Sequence, residues 1–311
     1  MNQSTNHILM IRPVAFRMNE QTAVNNYYQK VLNDLLPASV NAHAQREFDA
    51  FVEKLRDAGV QVTVVDDIAP RDTPDSIFPN NWVSFHENGD VALYPMFAEN
   101  RRKERREDVL DTLEESGFRI DNIVDYTSAE GDGYFLEGTG SMVLDRQNGK
   151  AYCALSPRAN EELFIEFCED FEMTPVIFEA FQTVNGERKP IYHTNVVMCI
   201  GETFAVICAD CIDDKTERKH VLSSLRQDGK DIVLISEDQV NNFAGNMLEV
   251  RGKGDRKFLV MSQAARQSLT EKQVAQLEKH AEILSSSLDT IEACGGGSAR
   301  CMMAEVFLPK A

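Results

Sequence analysis

Trp82-Val83-Ser84-Phe85-His86-Glu87-Asn88-Gly89-Asp90-Val91-Ala92-Leu93-Tyr94 reads as two alternating apolar runs hinged on Asn88-Gly89. Asn-Gly between such runs is the strongest short signal for a hairpin, because both residues tolerate the left-handed backbone of a tight turn. The same shape returns around Asn148-Gly149 within 141–155, around Gly201-Glu202 within 195–208, and around Gly252-Lys253-Gly254-Asp255 within 246–261. After each hairpin come a charged amphipathic stretch and a short β-branched run: 101–116 then 118–124, 160–169 then 174–178, 214–227 then 231–235, and 270–286 then 288–293. Val274, Leu277, Ala281 and Leu284 keep a helical 3–4 spacing, and Thr270 with Gln273 has the form of a capping box.

The fifth unit is split between the chain ends. Residues 301–308 are expected to pair with 8–12, followed by a helix over 42–58 and a strand over 60–65. A last strand that pairs with the first closes a ring and removes exposed sheet edges. Hairpin starts at Asn81, Ser141, Asn195, Asn246 and Cys301 lie roughly 51–60 residues apart, the self-similarity of a repeat architecture. The reading is therefore α/β: a propeller of five β-β-α-β units with pseudo-five-fold symmetry, forming a single domain over residues 1–311.

Composition limits the function classes. The 311 residues carry 32 Lys+Arg against 50 Asp+Glu, a net charge of −18, which repels phosphate backbones and argues against nucleic-acid binding. A hydrophobic content of 43% with 26% charged residues is that of a folded globular protein. The sequence contains no apolar run of the ~18 residues that a bilayer span requires, so no membrane partner is expected. Met1 to His7 lacks the charged and apolar regions of a signal peptide, and cytoplasmic location is the expectation. The seven cysteines read as buried reduced thiols rather than a disulfide framework. The six histidines form no HExxH pattern, so neither metal nor organic cofactor is expected.

In a closed ring, equivalent positions of each unit face one end of the axis. The segments before each first hairpin strand are Phe78-Pro79-Asn80-Asn81, Leu136-Glu137-Gly138-Thr139-Gly140, Tyr192-His193-Thr194-Asn195, Phe243-Ala244-Gly245-Asn246 and Gly295-Gly296-Gly297-Ser298-Ala299-Arg300-Cys301. One supplies a thiol, one an imidazole and one a carboxylate, the parts of an activated nucleophile, its proton partner and an orienting acid. Each also has a plain structural reading: Cys301 as a core thiol, His193 as a satisfied core histidine, Glu137 as a turn carboxylate. Their shared phase in the repeat favours the catalytic reading. Asn242 and Asn246 occupy the fourth unit's corresponding segment without an assigned role, and Arg17, Asn25 and Asn26 are candidates for the mouth of the site.

These residues resemble the guanidino-group-modifying superfamily, whose fold is called the pentein. It includes arginine deiminase, dimethylarginine dimethylaminohydrolase and arginine–glycine amidinotransferase. Arg12-Pro13-Val14-Ala15-Phe16 and the segment 295–302 are most similar to its citrulline utilisation hydrolase branch. The resemblance implies Cys301 as nucleophile, His193 as general acid/base and Glu137 as its orienting carboxylate. It also implies that Asp75, in Pro74-Asp75-Ser76-Ile77-Phe78, holds a substrate α-ammonium, and that Arg102 and Arg158 grip the α-carboxylate.

The chain departs from the arginine-acting pattern at Asn80 and Asn81, where carboxylates would clamp a guanidinium. It departs again at Asn195, where arginine deiminase carries an acid. An amide offers both a donor and an acceptor and suits a neutral ureido group. The expected partner is thus a small amino-acid substrate, L-citrulline first, cleaved through a covalent cysteine intermediate. Alternatives are arginine deiminase, dimethylarginine hydrolase or amidinotransferase activity on a guanidinium, and a non-catalytic ribosome-binding role known for this fold. Homo-oligomerisation is left open.

Overall fold

A computed structural model describes residues 2–30 and 36–311. Among the described residues, five three-stranded sheets share one plan, an antiparallel hairpin followed by a parallel third strand. The second sheet joins Val83–Phe85, Asp90–Leu93 and Asn122–Asp125; the third joins Met142–Asp145, Lys150–Leu155 and Thr174–Glu179. The fourth joins Met198–Ile200, Phe204–Ile207 and Asp231–Leu234, and the fifth joins Leu248–Arg251, Lys257–Ser262 and Glu282–Ser286. The first sheet draws on both ends of the chain: Ala304–Glu305 pairs antiparallel with His7–Arg12, which pairs parallel with Gln61–Asp66.

A helix bridges the second and third strands of each sheet, because parallel neighbours need a crossover. These helices are Pro37–Asp57, Glu107–Glu115, Glu161–Asp170, Lys215–Gln227 and Glu271–Leu277. Their inward residues recur at 3–4 spacing: Val109 and Leu113, Phe164 and Phe167, Val221 and Leu225, Val274 and Leu277 are all buried. Each such Leu or Phe contributes roughly 1.5–3 kcal/mol by leaving water. Three of the five starts are capped by side chains: Asn160 accepts from the Leu163 amide, Asp214 from those of Thr216 and Glu217, and Thr270 from that of Gln273. The capping box of Thr270 and Gln273 is present.

Several expectations need correction. The helix expected over 101–116 is two, Glu99–Arg102 and Glu107–Glu115, with an unwound link between them. The stretch 270–286 is not one helix: the chain leaves it after Leu277, and Glu282–Ser286 is the strand, in register with Phe258–Ser262. Leu284 continued the helical spacing by coincidence. Residues 288–293, expected as extended, belong to helix Asp289–Gly295, whose first amides are held by the Glu47 carboxylate. A sixth sheet, the hairpin Phe181–Val184 with Glu187–Pro190, was missed. Its turn is Asn185-Gly186, both at positive φ, the same signal as at Asn88-Gly89. Among the described residues no helix is long and apolar enough to cross a membrane.

Candidate active site

Three of the segments before the first hairpin strands line one cavity, through Asn81, His193 and Cys301, together with Asp75, Arg101 and Arg158. Local backbone explains the meeting. Glu137 precedes the helical turn Gly138–Ser141, and His193 precedes the equivalent turn Thr194–Val197. Gly140 lets them approach: a Cβ there would lie 2.4 Å from Asn81 Nδ2 and 2.8 Å from two atoms of the His193 ring. Cys301 does not begin a strand, as expected, but sits in the 3-10 turn Ala299–Met302, two residues before Ala304–Glu305. The Cys301 amide donates to Ser298 O at 3.0 Å, which closes that turn.

His193 Nε2 lies 2.7 Å from Glu137 Oε2, with both side chains buried. Glu137 Oε1 accepts the Phe97 amide at 3.0 Å, and Arg158 Nη1 and Arg101 Nη1 stand 3.5 and 3.9 Å from Oε2. Burial opposes ionisation of Glu137, yet Arg158, His193 and Arg101 together hold its carboxyl well below the usual carboxylate range. Burial pushes His193 down to about 4, against the pull of Glu137. The imidazole is thus neutral near pH 7, with Nε2–H donated to the carboxylate and Nδ1 left as the basic nitrogen.

The Cys301 thiol is buried and accepts from two amides, Asn246 Nδ2 at 3.2 Å and Asn195 Nδ2 at 3.5 Å. Asn195 was expected to meet the substrate headgroup; in the structure its amide contacts the sulfur. Asn246, which had no assigned role, does the same, and its position in the repeat was the signal. Asn242 is exposed, and its side chain donates to Asp238 O.

Asp75 is buried, and its Oδ2 accepts from Asn19 Nδ2 at 2.7 Å and Thr22 Oγ1 at 3.2 Å. Its Oδ1 has no hydrogen-bond partner among the described residues, although it belongs to a cavity-lining carboxylate. Burial pushes the Asp75 carboxyl up despite Arg101 3.9 Å away. An orphaned buried acceptor costs roughly 1–3 kcal/mol, and a ligand donor would relieve that. Arg158 is buried against the Tyr192 ring, with its guanidinium carbon 4.8 Å from the ring centroid, and donates to Asn25 Oδ1 and Thr22 O.

Two of the expected binding residues lie elsewhere. Arg102 is part-exposed, donates to Met96 O and pairs with Glu130 at 3.4 Å; it does not line the cavity. Its neighbour Arg101 does, because Glu104 takes its Nε and Nη2 at 2.9 Å each and Asn81 Oδ1 takes Nη1 at 2.7 Å. Asn80 is buried behind Asn81, accepting from its Nδ2 at 3.1 Å and donating to Thr139 Oγ1, and is also outside the cavity lining. Residues 13–30 cover the site through Asn19, Thr22, Asn25 and Asn26, while Arg17 pairs with Asp72. Nothing periodic in that segment announced Asn19 or Thr22. Among the described residues no cluster of three or more His, Cys, Asp or Glu could hold a metal ion. Cys208 and Cys211, a C-x-x-C pair, lie apart from the cavity with sulfurs 3.0 Å apart.

A thiol that shares a cavity with a neutral, carboxylate-bound imidazole is equipment for covalent hydrolysis at carbon, and the sheet plan around it is found in pentein-fold enzymes. The crystal structure of unliganded AgrE superposes with a TM-score of 0.74 at 15% identity, covering 98% of this chain and 40% of that one. Apo ArgZ, an arginine dihydrolase from the ornithine–ammonia cycle in cyanobacteria, gives 0.72 at 15% identity, covering 98% and 41%. The chain thus spans about two-fifths of the length of either protein. A dimethylarginine dimethylaminohydrolase bearing an S-methyl-L-thiocitrulline adduct gives 0.61 at 13% identity, covering 96% of this chain and 98% of that one. No curated protein matches the sequence. Residues 12–308 match the family described as N,N dimethylarginine dimethylhydrolase, eukaryotic, and the chain belongs to that family.

Proposed function

We propose that this enzyme hydrolyses the ureido C–N bond of a free amino acid, L-citrulline, to ornithine, CO₂ and ammonia, with Cys301, His193 and Glu137 as the catalytic set. One observation carries the reading: Asp75 is the one carboxylate among the described residues lining the cavity. Zwitterionic citrulline needs one acid for its ammonium and one cation for its carboxylate. Asp75, with Oδ1 unpartnered, supplies the acid, and Arg158, which lines the cavity 3.5 Å from Glu137, supplies the cation, while Arg101 is held by Glu104. A guanidinium would bring a second positive charge with no carboxylate left to take it, at a cost of several kcal/mol. Asn81 presents an amide instead.

In the proposed mechanism the Cys301 proton passes to His193 Nδ1 as sulfur attacks the ureido carbon. His193 returns that proton to the departing ornithine nitrogen, and a carbamoyl thioester remains. Water, deprotonated by His193, cleaves the thioester and releases carbamate, which decomposes to CO₂ and ammonia. Glu137 keeps the imidazole in the tautomer these transfers need.

We further propose that residues 1–311 form one domain whose five sheets close into a propeller. Contacts between neighbouring sheets support closure: Ala304–Glu305 packs on Val83–Phe85, Met142–Asp145 on Met198–Ile200, that strand on Leu248–Arg251, and the Ala299–Met302 turn on Lys257–Ser262. A guanidinium substrate is the second reading, favoured by the family's own description and by the arginine dihydrolase likeness. Assays of ornithine and ammonia release separate the two when citrulline is run beside arginine, methylarginines and agmatine. Turnover of citrulline alone is expected; turnover of arginine or a methylarginine with citrulline inert overturns the ureido reading.

A further inference from the structure

We propose that Asn246 is a catalytic residue, holding the reacting sulfur of Cys301 through an amide N–H with Asn195 as second donor, so that two neutral amides stabilise the nucleophile's anion. This rests on the reading of Cys301 as nucleophile but not on the identity of the substrate.

The Asn246 amide has only one workable orientation. Its Oδ1 accepts the Arg300 backbone N–H at 3.0 Å, and its Nδ2 donates to Asn195 O at 3.0 Å and to Cys301 Sγ at 3.2 Å. A flipped amide would set oxygen against the Asn195 carbonyl and nitrogen against the Arg300 N–H, losing both anchors. Asn195 is fixed in the same manner, because its Nδ2 also donates to Thr139 O at 3.2 Å. Both residues are buried, so bulk solvent does not reach either amide. Their meeting depends on Gly245, where a Cβ would lie 2.2 Å from Val196 O and 2.8 Å from Val197 C. The fourth unit therefore lies directly against the turn that carries Asn195.

The charged groups around the sulfur leave this role open. His193 is neutral near pH 7, with burial pushing it down to about 4, so no imidazolium balances a thiolate. Arg158 and Arg101 line the cavity but are engaged by Asn25, Thr22, Glu104 and Asn81, while Asp75 and Glu137 are acids that disfavour an anion. Arg300 adjoins Cys301 in sequence, yet its guanidinium is turned to Met303 O and Glu305. The donors that remain for the sulfur are the two amides. On attack the S–H proton goes to His193 Nδ1 and the sulfur pair to the carbon.

The test is the rate of iodoacetamide alkylation at Cys301, read by peptide mass from about pH 5 to 9 without substrate. One donor to an ionised group is worth about 10-fold to 100-fold, so Asn246→Ala should slow alkylation near pH 7 by that factor and move its pH profile upward. Asn246→Asp, of the same size, should move it further, because an anion replaces the donor. Asn195→Ala should move it less. An unchanged profile in a folded Asn246→Asp protein, with thermal melting like wild type, overturns the proposal. A shifted profile upholds it even where citrulline proves inert, and that second result would refute only the substrate reading.

Discussion

Glu137 Oε2 and His193 Nε2 stand 2.7 Å apart in a pocket that exposes neither side chain. The carboxylate is simultaneously bound by the Phe97 amide and faced by Arg158, so it keeps its charge and fixes the imidazole tautomer. Glu137→Gln keeps the shape and removes that charge. Its kcat should fall by roughly 100-fold to 10,000-fold with KM little changed, as measured by steady-state ornithine release.

The same pair makes the fold acid-sensitive. His193 titrates near 4 when folded against an ordinary 6.5, so the unfolded chain binds more protons between these values and stability falls as pH drops through them. Glu137, depressed below its ordinary value, adds a loss in the same direction at still lower pH. Denaturant titrations across this window should show stability declining by about 3 kcal/mol from His193, and His193→Gln should flatten the decline above pH 4.

Asp75 should separate binding from stability. Its unpartnered Oδ1 and raised carboxyl mean that burying its charge costs the folded protein free energy in the absence of ligand. Asp75→Asn should lower kcat/KM by about 100-fold, chiefly through KM, because a charged partner of the substrate ammonium is lost. Its melting temperature should stay level or rise. A fall in both would mean that Asp75 serves the fold rather than the ligand.

Adjacent arginines should behave oppositely. Arg101→Ala leaves Glu104 buried without its partner and frees Asn81, so it should abolish turnover and cost about 3–5 kcal/mol of stability. Arg102→Ala removes a part-exposed pair with Glu130 and a bond to Met96 O, both outside the cavity, and should leave kcat/KM within about threefold. Kinetics on the two variants, with melting curves, check both statements.

What could be read from the sequence was what the chain encodes locally. Turn pairs such as Asn88-Gly89 and strict apolar alternation mark hairpins without knowledge of any partner, and their recurrence set Glu137, His193 and Cys301 in phase. Choosing Arg101 over Arg102 needed Asn81, a partner that only the folded chain brings near; within 101–106 each arginine offers the same local signal. Asn246 was visible by its position, but its function depends on a sulfur 55 residues away in sequence. Asn80 and Asn81 read alike, and packing alone decides that one faces the cavity and the other supports it. The cover formed by residues 13–30 has no period at all, so Asn19 and Thr22 emerged only from their bonds to Asp75.

The most direct test of the central claim is the intact mass of enzyme acid-quenched during turnover of L-citrulline, with the modified peptide identified. A gain equal to one carbamoyl group, located on Cys301, absent from Cys301→Ser and prolonged in His193→Gln, is the predicted result. Full turnover in Cys301→Ser, or an adduct on a different cysteine, would contradict it.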